Sequence, residues 1–90
     1  MGSSTYKVPG GKLLKIRLKT VGYKIEKVTI MGDFFLHPED ALSDLEERLK
    51  GVYLESSSIK SVIADFLSKS GTQIIGADPA DIATAIMMAV

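Results

Sequence analysis

The chain has 90 residues, with eleven Lys or Arg against eleven Asp or Glu, one histidine and no cysteine. That length makes one domain with a thin stability margin, and balanced charge gives no bulk attraction to nucleic acid or to an anionic membrane. The lack of cysteine excludes disulfides, thiolate metal sites and cysteine nucleophiles and suits a reducing cytoplasm, and no apolar run approaches the ~20 residues of a membrane span.

Residues 1–5 are small and polar, without the basic and apolar regions of a signal peptide. They are expected to be a frayed or disordered lead, native or added, with residues 6–90 as a single domain. Thr5-Tyr6-Lys7-Val8 can add a short edge strand. Pro9-Gly10-Gly11 is a turn signal flanked by Lys7 and Lys12. From Leu13 to Thr20 the chain alternates: Leu14, Ile16 and Leu18 against Lys15, Arg17 and Lys19. This predicts a strand with one buried and one basic, solvated face. Gly22 marks a hairpin, and Tyr23–Phe35 returns as the second strand. Pairing Ile16 with Val28 and Leu14 with Ile30 keeps the apolar faces together. That register favours a three-residue loop, Val21-Gly22-Tyr23; a two-residue turn at Val21-Gly22 needs a bulge near Glu26-Lys27.

A first helix is predicted from Pro38 to Lys50, with Pro38 at the first helical position and Glu39 and Asp40 near the N-terminal dipole. Leu42, Leu45 and Leu49 form its apolar stripe, and Asp44–Arg48 and Glu46–Lys50 are candidate i,i+4 pairs. A second helix runs from a cap at Ser56 or Ser57 to about Ser70. Its apolar positions are Ile59, Val62, Ile63, Phe66 and Leu67. Ile74-Ile75-Gly76 is a short apolar link. A third helix has Asp78 as N-cap and Pro79 at its first position, with Ile82, Ile86, Ala89 and Val90 on one stripe. The fold class is therefore α+β: a small antiparallel hairpin or three-stranded sheet covered by three helices.

Two stretches, Lys7-Val8-Pro9-Gly10-Gly11-Lys12-Leu13 and Gly32-Asp33-Phe34-Phe35-Leu36-His37-Pro38-Glu39, carry a likeness to a known family. Together, in this order and followed by an Ile-Gly-x-x-Pro segment, they resemble the C-terminal accessory domain of lipoate-protein ligases. In that family a large catalytic domain makes lipoyl-adenylate from lipoate and ATP and passes the lipoyl group to a lysine of an acceptor. The chain has no Arg-Arg-x-x-Gly-Gly-Gly-like stretch, so the resemblance implies the separate small subunit of a bipartite, archaeal-type ligase. It implies a non-catalytic role: docking on the catalytic subunit and supporting adenylation, with no activity alone. It also implies lipoate, ATP and Mg at a joint site, none bound by this chain alone. The implied partners are the catalytic subunit in a heterodimer and, indirectly, lipoyl acceptor domains or a glycine-cleavage H-type protein.

Each candidate residue has two readings. Lys7, Pro9, Gly10, Gly11 and Lys12 are either an adenylate-supporting loop, with backbone N–H groups and ammonium groups facing an anion, or a tight turn with solvated lysines. Gly32, Asp33, Phe35, Met87 and Met88 are the candidate partner interface. Phe34 is assigned to the core by strand parity, and Phe35, of opposite parity, to the interface. Asp33 suits a turn or cap acceptor better than a catalytic carboxylate, and His37 suits a helix start. Met87 and Met88 serve equally as core filler. No catalytic or metal-ligating residue is assigned. The basic stripe of Lys15, Arg17, Lys19, Lys24 and Lys27 is a solvated strand face, or one that steers an acidic acceptor. The alternative function is a small RNA- or protein-binding module using that face, although it lacks interleaved exposed aromatics.

Overall fold

Alternation over nine residues gives the central strand. In the computed structural model, which describes residues 2–10, 12–38 and 40–90, with Phe35 described by its backbone alone, Leu14, Ile16 and Leu18 are buried and Lys15, Arg17 and Lys19 exposed. The first strand, β1 (Gly2–Lys7), pairs antiparallel with β2 (Leu13–Val21), and β2 pairs antiparallel with β3 (Lys24–Gly32). The expected lead over residues 1–5 is thus corrected: Gly2–Thr5 lie in β1. Gly2 sits opposite Leu18 and Ser4 opposite Ile16. Ser4 Oγ donates to the Ala85 carbonyl at 2.6 Å, so its hydroxyl ties the strand to the third helix.

The hairpin register differs from the preferred reading. Ile16 faces Ile30 and Leu18 faces Val28, around a two-residue turn at Gly22-Tyr23. The alternative reading put the turn one residue early, at Val21-Gly22, but its bulge is present: Thr20 pairs with Ile25 and Lys19 with Lys27, leaving Glu26 extra. Ile25 and Val28 are both buried although three residues apart, and only an inserted residue puts both on one face.

β3 stops at Gly32. The chain bends through Asp33-Phe34 and starts a second, two-stranded sheet. There β4 (Phe35–His37) pairs antiparallel with β5 (Gln73–Ile75). The segment Ile74–Ile75, expected as a link, is therefore a strand. With Phe35–His37 used in that pairing, the first helix cannot begin at Pro38. It begins after Asp40, as α1 (Ala41–Leu49), and the Pro38 carbonyl accepts the Ala41 N–H at 3.1 Å. Glu39 lies outside the described residues. α1 buries Ala41, Leu45 and Leu49, with Leu42 at the margin.

The expected ion pairs within α1 do not form. Arg48 reaches Asp65 on α2 (Ser56–Ser70) at 3.4 Å, and Lys50 pairs with Glu47 at 2.8 Å. Glu46 turns instead to the sheet, where Oε2 accepts the Ile30 N–H at 2.8 Å. Ile25 exchanges backbone bonds with Gly51 and Val52, so the outer edge of β3 is covered by α1 and by the link after it. Glu46→Ala is therefore expected to lower unfolding free energy by about 1.5–3 kcal/mol, the range for a hydrogen bond to a charged group, and Glu46→Gln by less. Urea midpoints of the two variants check this; equal midpoints with wild type would show that water replaces the carboxylate.

α2 buries Ile59, Ile63 and Phe66 and ends at Gly71. α3 (Pro79–Met88) buries Ile82, Ala83, Ala85 and Ile86, packed against α2, β1 and β2. Ala89 is buried as expected, but Val90 is 68% exposed because it lies past the helix end. α1 packs on β3 and α3 on β1 and β2, α2 packs against both of these helices, and the core is continuous between them. The architecture is α+β, as predicted. Among the described residues, no helix is long and apolar enough to cross a membrane.

Candidate functional site

Two turns built by glycine and proline meet at one end of the sheet. After β1 the chain reverses through Pro9-Gly10, and the Val8 N–H closes the loop onto the Lys12 carbonyl at 2.7 Å. Val8 is buried and anchors the loop to the core. Gly10 sits at φ 105° with open space around it, a conformation that side chains rarely adopt. Gly11 lies outside the described residues.

The second turn locks onto the first. The Asp33 N–H donates to the Leu13 carbonyl at 2.9 Å. Gly32, at φ 149°, presses against the same carbonyl, and a Cβ there would overlap its oxygen. Both sequence motifs are thus held together by the backbone of Leu13. A third segment closes the site: the Cβ position of Gly76 is 3.4 Å from the Phe34 Cβ and 3.5 Å from the Lys12 Cγ. The result is an open cleft of about 380 Å³ with Val8, Pro9, Gly10 and Lys12 on one side and Gly76, Asp78 and Asp81 on the other.

The charge in this cleft is mixed. Lys12 is the cation lining it, and Asp78 and Asp81 stand at the start of α3. The Asp81 carboxylate accepts the Asp78 N–H at 3.0 Å, and the Asp78 carbonyl accepts from Asp81 and Ile82 at 3.0 and 3.1 Å. The helix start is therefore capped by its own acids and is a poor anion seat. The positive charge of the cleft is on the loop side, at Lys12. The cleft offers positioning and charge, and none of its named lining groups is an activated nucleophile.

The candidate residues separate. Lys7 ends β1 opposite Leu13, on the open face of the sheet, and does not line the cleft. Asp33 is exposed beside the loop. Phe34 is half-buried and packs on the core, at a bend rather than in the continuous strand that the parity argument assumed. The assignment of Phe35 concerns a side chain outside the described residues. His37 is exposed in β4, not at a helix start. Met87 packs partly on the core, whereas Met88 is 52% exposed at the opposite end of the sheet, near Gly2 and Thr20. Gly76 was absent from the candidate residues; its signal was the Ile-Gly-x-x-Pro segment, which brings β5 and α3 to the Lys12 loop.

The fold and cleft define a small α+β domain with a cleft built from glycine and proline turns at one end of its sheet. Its sequence matches the family Bacterial lipoate protein ligase C-terminus over residues 3–86, and the chain belongs to that family. It is 35% identical over 86 residues to lipoate-protein ligase A subunit 2 of Thermoplasma acidophilum, a match covering 96% of this chain and 87% of that one. It also superposes, with a TM-score of 0.80 and 32% identity, on a chain from the structural analysis of an archaeal lipoylation system, a bi-partite lipoate protein ligase and its E2 lipoyl domain from the same organism. That match covers 93% of this chain and 91% of the solved one.

Proposed function

We propose that the protein is the small accessory subunit of a bipartite lipoate-protein ligase. It docks on a catalytic subunit in a heterodimer and completes the site that activates lipoate. The observation that carries this reading is the lock of the Pro-Gly loop and the Gly32-Asp33 corner on one carbonyl, which fixes Lys12 at the edge of the cleft. Likeness to a separately named ligase subunit supports it.

The chemistry has two steps. A lipoate carboxylate oxygen bonds to the α-phosphorus of ATP and pyrophosphate leaves, giving lipoyl-adenylate. An acceptor lysine amine then attacks the acyl carbon and AMP leaves. Negative charge accumulates on carboxylate and phosphate in the first step, where the Lys12 ammonium and the locked turn backbone stabilise it. Asp78 and Asp81 are engaged in the α3 cap, so the Mg that accompanies ATP would be held by the catalytic subunit at the joint site. The contribution of this chain is positioning and electrostatic. The complex works in the cytoplasm, where ATP is available.

Exposed Met88 and Val90 give the apolar surface for docking. On gel filtration, the chain and a catalytic subunit lacking this domain are expected to co-elute as a heterodimer. At a partner concentration a hundredfold above Kd, the chain should gain about 2.7 kcal/mol and melt several degrees higher. Lipoate-dependent pyrophosphate release should rise at least about tenfold on mixing, equivalent to 1.4 kcal/mol of barrier. Two unchanged species on the column, with unchanged pyrophosphate release, would reject the reading.

A further inference from the structure

The cations of this chain are concentrated at one end of the sequence. Residues 1–30 hold seven Lys or Arg and one acid, while residues 31–90 hold four and ten. The zero net charge therefore conceals a strongly divided molecule. Strand alternation turns that division into a surface. Lys15, Arg17 and Lys19 leave β2 on the side away from the helices. The register sets Met31 opposite Lys15, Thr29 opposite Arg17 and Lys27 opposite Lys19. Among the described residues no helix packs on this side, and a shallow groove of about 170 Å³ runs between Arg17, Lys19, Lys27 and Thr29.

The face is poorly neutralised by its own chain. Lys19 pairs with Glu26 at 3.4 Å, both about half exposed. Among the described residues, Lys15, Arg17 and Lys27 have no carboxylate within 4.0 Å. Like charges directly opposite each other, as at Lys19 and Lys27, destabilise a sheet. Their clustering favours an anion from outside. We propose that the open face of the three-stranded sheet docks the acidic surface of the acceptor protein whose lysine receives the lipoyl group.

This rests on the ligase reading above. The occupant is a protein rather than a single-stranded nucleic acid, because bases need aromatic platforms. The exposed Tyr23 and Tyr53 lie at the hairpin turn and the helix link, and Tyr53 is held under the Lys24 ammonium at 5.1 Å. On the face itself the exposed apolar side chains are Met31, 41% exposed, on the strand beside Lys15 and Arg17, and Val21, 59% exposed, at the hairpin end of β2. Met and Arg are enriched in protein interfaces. The occupant is the acceptor rather than the catalytic subunit for a kinetic reason. A permanent interface is depleted of charge at its core, whereas an acceptor must arrive and leave in each turnover. An exposed charged face speeds that encounter without prolonging it.

The test uses Arg17→Glu/Lys27→Glu in the full chain, mixed with the catalytic subunit. Transfer from preformed lipoyl-adenylate to an unlipoylated E2 lipoyl domain is followed against salt. The variant is expected to lose about 10–100-fold in kcat/KM at low ionic strength, within the range of electrostatic steering, through KM rather than kcat. Its salt dependence should flatten, and its lipoyl-adenylate formation should match wild type. Unchanged kcat/KM overturns the proposal. A titration of the isotope-labelled chain with the same lipoyl domain decides the face independently of ligase activity. Amide shifts confined to Lys15, Arg17, Lys27, Thr29 and Met31 support it; shifts elsewhere, or none, overturn it. Oligouridine binding that charge reversal abolishes, with acceptor kcat/KM unchanged, assigns the face to RNA and also overturns it. Should the wild-type mixture make no lipoyl-adenylate, the ligase reading fails on its own assay, while the titration still reports on the face.

Discussion

Lys12→Ala is expected to lower lipoate-dependent pyrophosphate release about 10²–10³-fold, the scale of losing one placed oxyanion donor. Transfer from preformed lipoyl-adenylate should change little, since the anhydride is already activated and needs less new anion stabilisation. The fold should be unaffected, because Lys12 is exposed and its backbone carbonyl, not its side chain, closes the loop with Val8. Lys7→Ala should cost adenylation much less. Although Lys7 flanks the same turn, it faces the open side of the sheet and not the cleft. The two activities are measured side by side with each variant. Wild-type adenylation in Lys12→Ala would mean that the loop is only a turn, and that the subunit acts through docking alone.

Gly32→Ala should be strongly damaging for a single added methyl. It combines a φ of 149°, which side chains rarely adopt, with overlap of the Leu13 carbonyl oxygen. Strained backbone costs about 1–3 kcal/mol and overpacking about 1–3 more. At ~0.05–0.15 kcal/mol per residue, the whole domain holds only roughly 5–13 kcal/mol. Gly10→Ala is the control: φ is 105° but no atom lies within 4 Å of the new methyl, so strain alone remains. Urea denaturation should rank wild type first, Gly10→Ala next and Gly32→Ala last. If Gly32→Ala unfolds with Gly10→Ala, the β2–β3 corner has room to shift, and the lock between the two motifs is looser than its geometry implies.

Much of this protein follows from local pattern. Period-two alternation over Leu13–Lys19 sets the buried and basic faces of β2, and the period of Ile59, Ile63 and Phe66 sets α2 and its buried side. The Asp78-Pro79 pair starts α3 where the sequence says it should. These features depend on residues within one or two turns of each other, so a single chain segment contains all the information. The family likeness was equally local, carried by two short motifs.

The tertiary structure decided what depends on distant partners. A three-residue strand has too few positions to show a period, so β5 became visible only when it paired with Phe35–His37. That pairing ended β3 at Gly32, delayed α1 to Ala41 and removed the continuous parity used to place Phe34. The bulge at Glu26 was an open alternative, because a shift of two residues leaves every side chain on the same face and the hydrophobic pattern indifferent. Likewise Glu46 had a lysine four residues away, but packing of α1 on β3 brought the part-buried Ile30 N–H at the strand edge to its carboxylate. The site shows the same division. The two motifs were legible one by one, but their meeting at the Leu13 carbonyl, the arrival of Gly76 beside Lys12 and the separation of Lys7 from Lys12 required the sheet to close. Sequence spacing orders residues along a strand, whereas only the pairing of strands determines which of them face one cleft.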